Sequence, residues 1–266
     1  MANSKLKIVA VIQARLGSKR LPGKVLKKIL GRTLIEWIYY RLSFCKEIGQ
    51  IVLSTADTAE NDKLAGHAKK IGLAYFRGSE KDLVSRLYNT AKKFSADAIV
   101  RITGDCPLVD PSLVDELVRA YRRKKSLNYV CNILPPTYPD GMDIEILSFA
   151  ALKRLDKEVK DELHREWLTT TIMENPKKFK ILNIPYKRNL SYLRLTVDYP
   201  EDFKLAEIIF KKLYKEGEVF TTEDILKLFK KRSSLVKINE KWVDKTIIGN
   251  IRSGEFHRLK SKNSPC

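Results

Sequence analysis

Two aspartates stand where a divalent metal ion could be held. Asp105 lies in TGDCPLVDP, directly after the apolar run AIVRIT, and Asp198 lies in LRLTVDYPED at the end of a run with β patterning. Mg²⁺ is typically held by one or two carboxylates, with substrate phosphates and water completing its shell. Two aspartates at strand ends therefore predict a divalent-metal site. Each also has a simpler interpretation, an Asx turn for Asp105 and a helix N-cap for Asp198.

A basic loop, QARLGSKRLPGK at residues 13–24, follows the first apolar run. Gly17 and Gly23 allow the backbone to come close to a ligand, and exposed N–H groups there can surround an anion. Arginine and lysine supply the charge that a polyphosphate needs. The loop matches neither the GxxxxGK[ST] nor the GxGxxG pattern. It is either a phosphate-binding loop or a basic surface loop, and its four cations are Arg15, Lys19, Arg20 and Lys24.

Strands alternate with helices over residues 8–122, which places both segments at strand ends. Apolar runs predict strands at Ile8–Ile12, Gln50–Thr55, Leu73–Phe76 and Ala98–Thr103, and helical spacing predicts helices at Thr33–Glu47, Glu60–Ile71, Asp82–Phe94 and Ser112–Arg122. This order favours a mostly parallel sheet with helices on both faces, whose ligands bind beyond the carboxyl ends of the strands. We interpret Asp110, just before Pro111, as a helix cap.

The pattern changes in the second half of the chain, where connections are longer. We predict strands at Asn128–Asn132, Met142–Ile146, Lys180–Ile184 and Leu193–Val197, and helices at Phe149–Leu155, Leu163–Glu174, Pro200–Tyr214 and Thr222–Phe229. Beyond Ser233 weak patterning indicates short strands at Val236–Ile238 and Ile247–Ile251, and we expect Ser261–Cys266 to be frayed.

The composition gives an excess of positive charge. The 266 residues include 51 Lys and Arg against 32 Asp and Glu, a formal net charge of +19. Residues 227–266, the basic tail, hold eleven of these cations and three of the acidic residues. A basic chain suits a nucleotide, a phosphosugar or a nucleic acid, and the alternative is a solvated face or a lysine-rich composition bias.

Composition also excludes several classes of protein. No apolar run reaches the roughly 20 residues that a membrane-spanning helix needs. The four cysteines form neither a CxxC pair nor a cluster with histidine, so we expect no zinc site and no disulfide framework. The expected location is the reducing cytoplasm.

Five blocks of the sequence resemble the cytidylyltransferases of spore-coat polysaccharide biosynthesis, within the wider class of CMP-sialate and CMP-Kdo synthetases. The blocks follow the family's order within residues 7–215: QARLGSKRLPGKVL, FRGSEKDLVSRLY, VRITGDCPLVDP, LPPTYPDGMDIEI and LRLTVDYPEDF. The resemblance implies an α/β, Rossmann-like fold of the nucleotide-diphospho-sugar transferase type, similar to glycosyltransferase A. It also implies transfer of CMP from CTP to a sugar or sugar-acid oxygen, with release of pyrophosphate, for surface glycan synthesis.

Carried over by motif, the resemblance gives individual residues a role. The triphosphate would be held by Arg15, Gly17, Ser18, Arg20 and Lys24, and the base or ribose would lie near Arg77, Ser79 and Arg86. The acceptor side would include Asp140, Asp143, Glu166 and Thr169. The catalytic set would be Arg15, Lys24, Asp105 and Asp198, with Mg²⁺ held by the two aspartates.

The resemblance also implies an organisation of the chain. We expect a nucleotidyltransferase domain over residues 1–230, with an acceptor or dimer subregion at about 128–192, and a basic C-terminal extension over 231–266. We expect a homodimer as well. The basic tail matches nothing in the family pattern, so we expect it to lie outside the catalytic machinery, although apolar residues such as Trp242 could cover part of the core.

One motif departs from the family pattern. The family has Glu-His-Val-Thr where this chain has Glu166-Trp167-Leu168-Thr169. Tryptophan can stack on a ring, but it lacks the acid–base and metal-binding capacity of histidine. His164, one turn earlier, is either a compensating group or a surface histidine.

Two rival functions remain open from the sequence. A glycosyltransferase that uses a nucleotide sugar can have the same kind of sheet, but it would release no pyrophosphate. A nucleic-acid-binding protein would follow from charge alone and would bind in a strongly salt-dependent way. That second reading leaves the two aspartates unexplained, so we do not expect nucleic acid to be the partner.

Overall fold

The computed structural model describes residues 6–124 and 126–243. Its sheet is built around the first apolar run, β1 (Ile8–Gln13). Ile8 and Ile12 belong to the hydrophobic cluster on one side of the sheet, and Val9 and Val11 belong to the cluster on the other. A strand that is buried on both faces has to be covered by helices on both sides, as the sequence predicts.

The described residues form a sheet of seven strands in the order β5-β4-β1-β6-β8-β7-β9. Besides β1, the strands are β4 (Gln50–Ala56), β5 (Ala74–Gly78), β6 (Ala98–Thr103), β7 (Tyr129–Cys131), β8 (Glu145–Ser148) and β9 (Ile181–Asn183), and a separate hairpin joins β2 (Lys28–Ile29) to β3 (Arg32–Thr33). Only β8 runs against its neighbours in this sheet. The prediction of a mostly parallel sheet is confirmed.

Helices cover both faces of the sheet. They are α1 (Leu34–Leu42), α2 (Asp62–Lys70), α3 (Leu83–Lys93), α4 (Pro111–Arg123), α5 (Phe149–Glu158), α6 (Glu162–Glu166), α7 (Leu168–Glu174), α8 (Pro200–Leu213) and α9 (Thr222–Lys231). α1, α4, α8 and α9 contribute to one hydrophobic cluster, and α3, α5 and α7 contribute to the other. Within the described part of the chain, no helix has the length and apolar character that crossing a bilayer would take.

The direction of the strand order reverses at β1, and this reversal creates a crevice. From β1 the chain proceeds to β4 and β5 on one side, then crosses to β6 on the other. Loops at such a switch point separate and leave room for a ligand beyond the carboxyl ends of the strands. The basic loop leaves β1 there and Asp105 follows β6, so both predicted segments lie at the crevice.

Two predicted strands differ from the structure. The run predicted at Met142–Ile146 pairs only from Glu145, because the side chain of Asn132 binds the carbonyl of Met142 and the amide of Ile144. The run predicted at Leu193–Val197 is not a strand. It makes a single isolated bridge to Asp140 and is held at a few points instead of along a ladder.

Two predicted helices are also wrong in extent. The helix predicted over 33–47 ends at Leu42. The helix predicted over 163–174 breaks at Trp167, whose amide closes α6 on the carbonyl of Leu163 and whose carbonyl accepts from the amide of Thr170 to open α7. The run of three threonines after the break has low helix propensity and gives little support to a continuous helix.

The basic tail is partly described. Ser233–Ile238 and Glu240–Trp242 are short 3₁₀ helices, so the strand predicted at Val236–Ile238 is wrong. The segment packs beside α8 and α9, with Leu235 in the core. The predictions for Ile247–Ile251 and Ser261–Cys266 lie outside the described residues.

Asp110 caps α4 and also ties α9 to the body of the protein. One carboxylate oxygen accepts from the Ser112 amide at 3.0 Å, and the other accepts from the amide and hydroxyl of Thr222 at 2.6 and 2.8 Å. Asp110 is 3% exposed, so its loss would leave buried hydrogen-bond donors without an acceptor. The interpretation of Asp110 as a cap is confirmed.

We expect Asp110→Ala to cost about 2–4 kcal/mol of unfolding free energy, since it removes a cap and leaves Thr222 unsatisfied. Asp224→Ala is the matched control, because Asp224 caps α9 at a more exposed position. Its cost should be about 1 kcal/mol. Urea unfolding followed by circular dichroism measures both, and equal losses would contradict the role of Asp110.

Candidate active site

The amine of Lys24 joins the two predicted metal ligands. Its nitrogen lies 3.0 Å from Asp105 and 2.8 Å from Asp198, so two carboxylates from distant parts of the chain share one cation. Lys24 is 8% exposed. Burial lowers its pKa, but the two carboxylates outweigh that effect and the pKa lies above the ordinary value. Lys24 therefore stays charged at neutral pH.

The loop after β6 and the segment before α8 are fastened to each other by backbone hydrogen bonds. The amide of Val197 donates to the carbonyl of Asp105 at 2.8 Å. The amide of Leu195 donates to the carbonyl of Asp140, and the amide of Asp140 donates back to Leu193. These isolated hydrogen bonds, and not a β-strand, place Asp198 near Asp105.

Arg194 gathers three carboxylates around its guanidinium. It lies 2.8 Å from both Asp140 and Asp198, and 3.1 Å from Asp202. Asp202 in turn accepts the backbone amides of Asp198 and Tyr199, each at 2.9 Å. Asp198 is not the N-cap of α8, because Tyr199 occupies that position. Its carboxylate points to the cations instead.

Around Lys24 and Arg194 there are more carboxylates than cations. Burial raises the pKa of Asp198, but Lys24, Arg20 and Arg194 lower it further, so the net direction is down. Burial and neighbouring carboxylates raise the pKa of Asp143. They also raise that of Asp140, although Arg194 opposes the shift and 42% of the Asp140 side chain is exposed.

This donor set fits a divalent cation that brings its own further ligands. Among residues 6–124 and 126–243, no three carboxylate, imidazole or thiol groups converge closely enough to hold an ion by themselves. Asp105 and Asp198 do converge, and two carboxylates suffice for Mg²⁺ when phosphates and water supply the rest. Their contact with Lys24 indicates that this position attracts positive charge.

The other loop residues lie around Lys24 in different ways. Arg20 pairs with Asp198 at 2.9 Å, and Arg15 is about half exposed with a weak contact to Glu80 at 3.9 Å. Ser18 accepts the amide of Leu21 and shapes the turn. Gly17 faces Glu60, and a β-carbon there would come within 3.2 Å of that carboxylate. The loop therefore presents Arg15 and Arg20 outward and Lys24 inward.

The three residues predicted near the base or ribose do not form one cluster. Arg77 binds Asp57 and Asp62 at the end of β5. Ser79 caps a turn through its hydroxyl, which accepts the amide of Asp82. Arg86 is 4% exposed and bonds the carbonyl of Ser79.

Arg77 and Arg86 both have a buried Nε atom without a hydrogen bond, but that of Arg77 lies 3.2 Å from a carboxylate oxygen of Asp57, whereas Arg86 has no such ion pair among the described residues. Its Nε atom has no hydrogen-bond partner in the described part of the chain. Burial, with the nearby charges of Arg15 and Arg101, lowers its pKa to about 10. A buried guanidinium beside other cations is where a negatively charged or carbonyl-bearing ligand would be stabilised.

The predicted acceptor residues are also divided. Thr169 donates to Glu145 at 2.7 Å, and Glu145 pairs with Arg101 at 2.6 Å. Asp140 joins the cluster through Arg194, whereas Glu166 is exposed on α6. His164 bonds Asp161 and Glu174 at 2.7 Å each, so it links α6 to α7 instead of replacing the missing family histidine.

Sequence reasoning missed two cations that organise the site. Arg194 stands four residues before Asp198, inside a block already singled out, and it binds Asp198 and Asp202 of that block together with Asp140 from a separate segment. Arg101 is a charge within the buried run AIVRIT, which was the available signal: a charged residue in such a strand needs a buried partner. That partner is Glu145, and Arg101 also bonds Gln13 at the end of β1.

Gly141 fits its place only without a side chain. It has a φ of +99°, and a β-carbon would lie 2.4 Å from the amide nitrogen of Thr196. The Gly141→Ala change should displace the segment that carries Asp198. Gly217→Ala is the control, since Gly217 has a φ of +77° with nothing within 4 Å of the added carbon.

Both changes impose the left-handed backbone penalty of about 1–2 kcal/mol. We expect Gly141→Ala to lose at least about 2 kcal/mol more unfolding free energy, because its clash is with backbone. Urea unfolding of the two variants measures the difference. Equal losses would contradict the close approach of residues 141 and 196.

Comparison with known proteins identifies the family of this chain. A family model described as cytidylyltransferase matches residues 9–240. A solved cytidylyltransferase from Leptospira borgpetersenii is 34% identical, with a TM-score of 0.83 over 87% of this chain and 97% of that one. The spore coat polysaccharide biosynthesis protein SpsF of Bacillus subtilis is 29% identical over 81% of this chain and 91% of its own length.

A more distant structure shares the fold alone. It is a CMP:2-keto-3-deoxy-manno-octonic acid synthetase complexed with CTP, 18% identical, with a TM-score of 0.63 over 78% of this chain and the whole of that one. The nucleotidyltransferase fold expected from the sequence is confirmed. The family match extends to residue 240, beyond the point where the sequence blocks had ended. This chain belongs to the cytidylyltransferase family, and it is a nucleotidyltransferase of the Rossmann-like type.

Proposed function

We propose that the protein transfers CMP from CTP to an oxygen of a sugar or sugar acid and releases pyrophosphate. The observation that carries the proposal is the shared contact of Asp105 and Asp198 with Lys24, at the crevice where the basic loop leaves β1. The match to the cytidylyltransferase family supports the choice of CTP as the nucleotide. The likeness to a protein of spore coat polysaccharide biosynthesis supports an acceptor used in surface glycans.

The reaction needs positioning and neutralisation of charge more than covalent chemistry. The acceptor oxygen bonds to the α-phosphorus and loses its proton, while the bond from that phosphorus to the β-phosphate oxygen breaks. Negative charge grows on the departing pyrophosphate. Arg15 and Arg20 are about half exposed at the loop and can face the phosphates; Arg15 has only a weak contact with Glu80, whereas Arg20 pairs with Asp198 and lies over the ring of Tyr199.

Lys24 has a different part, because it is buried and fixed. It holds Asp105 and Asp198 in place and brings a permanent positive charge to the phosphate side of the crevice. A preorganised charge of this kind stabilises a transition state without reorganising during the step. A Mg²⁺ held by Asp105 and Asp198 would supply further neutralisation of the phosphates.

The acceptor would approach from the side of Asp140 and Thr169. Arg194 and Arg101 lie there, largely buried and paired with carboxylates, and Asp140, whose side chain is 42% exposed, is open to the hydroxyl groups of a ligand. Asp143 and Glu166 stay predictions for this side. The homodimer, the cytoplasmic location and the domain boundary near residue 230 stay predictions as well.

A pyrophosphate-release screen tests the function. The four nucleoside triphosphates are each combined with a panel of sugar acids, neutral sugars and phosphorylated polyols in the presence of Mg²⁺. The proposal predicts release with CTP and one class of acceptor. Transfer from a CMP- or UDP-sugar without any release of pyrophosphate would favour the glycosyltransferase instead.

Asp105→Asn should lower turnover by about two orders of magnitude or more, because an amide keeps the turn but loses the charge that a metal needs. The rate is measured at saturating CTP and acceptor over a Mg²⁺ titration. Glu207→Gln is the control, since Glu207 forms an exposed pair with Lys211 on α8 and should leave the rate unchanged. Near wild-type turnover of Asp105→Asn would refute the metal role.

Lys24→Ala should weaken CTP binding by about 1.5–3 kcal/mol, the range for a hydrogen bond to a charged group. Calorimetric titration of CTP in the presence of Mg²⁺ gives the affinity. Lys211→Ala removes an exposed lysine from α8 and serves as the control. An unchanged affinity in Lys24→Ala would show that this lysine does not serve the triphosphate.

A further inference from the structure

We propose that the start of the basic tail is a positioning element of the active site, acting through Asn239 and Trp242 on the segment that carries Asp198. The inference rests on the proposed function for its kinetic consequence. It replaces the sequence-based expectation that the tail has no part in the catalytic machinery. Neither residue is a candidate to touch substrate, since their contacts are with the support of Asp198.

Asn239 binds two of the residues that hold Asp198 in position. It is 2% exposed, and its amide nitrogen donates both to the carbonyl of Arg194 at 3.0 Å and to Asp202 at 2.8 Å. Asp202 is the carboxylate that accepts the backbone amides of Asp198 and Tyr199. One side chain of the tail therefore fixes both ends of the turn that presents Asp198.

Trp242 packs against Tyr199, the residue next to Asp198. Its ring stacks on Tyr199 with 3.6 Å between centroids and 4° between planes. The indole N–H donates to Glu201 at 3.0 Å, which sets the orientation of the ring. The guanidinium of Arg20 lies 5.0 Å from the same Tyr199 ring and 2.9 Å from Asp198. The stacked rings therefore lie next to Arg20, a cation of the basic loop, as well as next to Asp198.

These contacts matter because no strand ladder holds the segment, so side chains must fix the position of Asp198. Residues 193–197 make one isolated bridge and a hydrogen bond to Asp105, with no strand ladder. A carboxylate on such a segment takes its position from the side chains around it. Displacement of a reacting group by about 1 Å can cost two orders of magnitude in rate, so loose support should appear in turnover before it appears in substrate binding.

The test compares three full-length variants. Asn239→Ala removes the brace, Trp242→Ala removes the stack, and Trp242→Phe keeps a flat ring on Tyr199 without the indole N–H. Leu235→Ala is the matched control, because Leu235 lies in the same segment but its side chain packs into the core and makes no hydrogen bond to the turn that presents Asp198. Leu235→Ala should lower the melting temperature while leaving kcat near that of the wild type.

Two readouts separate positioning from stability. Trp242→Ala and Asn239→Ala should lower kcat about 10–100-fold. The KM for CTP should change less than about threefold, since the loss lies in the transition state. Trp242→Phe should recover most of the rate. Hydrogen exchange should also speed up in the peptide containing Asp198 and Tyr199 in the two alanine variants, but not in Leu235→Ala.

Unchanged exchange in that peptide, or a loss of kcat no greater than in Leu235→Ala, would overturn the proposal. Exchange does not depend on which reaction the enzyme performs. A wild-type protein that released no pyrophosphate with any pair of substrates would defeat the proposed function. The exchange comparison would then still decide whether the tail positions Asp198.

Discussion

The contact of one buried ammonium with two carboxylates is the constraint on which the site depends. A buried charge is costly unless it is paired, and Lys24 has to find both partners when the chain folds. Three separate segments must then meet: the loop after β1, the turn after β6 and the stretch before α8. The sheet brings the first two together through the parallel pairing of β1 with β6. The third has no strand to place it.

The support of Asp198 explains several features of the second half of the chain. Arg194 binds the carboxylate of Asp198, and Asp202 accepts the backbone amide of Asp198. Gly141, which has no side chain, lets the backbone of this segment come close to its own. Because each of these groups depends on the others, the segment behaves as a single preorganised unit. Arg20 and Arg15, by contrast, keep exposed side chains. The site therefore combines a buried network of carboxylates and cations with exposed cations at its rim.

The sequence could predict the first half of the fold because its strands are apolar on both faces and its helices are amphipathic. It could also predict that Asp105 and the basic loop share one edge, since both follow parallel strands. Asp198 was predicted as a metal ligand from its charge and from a strand end, but residues 193–197 form no strand, and the metal role stays a prediction. The contacts of Arg194 with Asp140 and of Asn239 with Arg194 and Asp202 are between residues far apart in the chain, and no local pattern encodes such pairs.

The most direct test of the account is a crystal structure of the full chain with CTP and Mn²⁺ in place of Mg²⁺. Anomalous scattering locates the metal without reference to the protein's other atoms. The account predicts a single strong peak in contact with the carboxylates of both Asp105 and Asp198, beside the phosphates of the nucleotide. A peak away from either aspartate, with Lys24 still joining the two carboxylates, would contradict it.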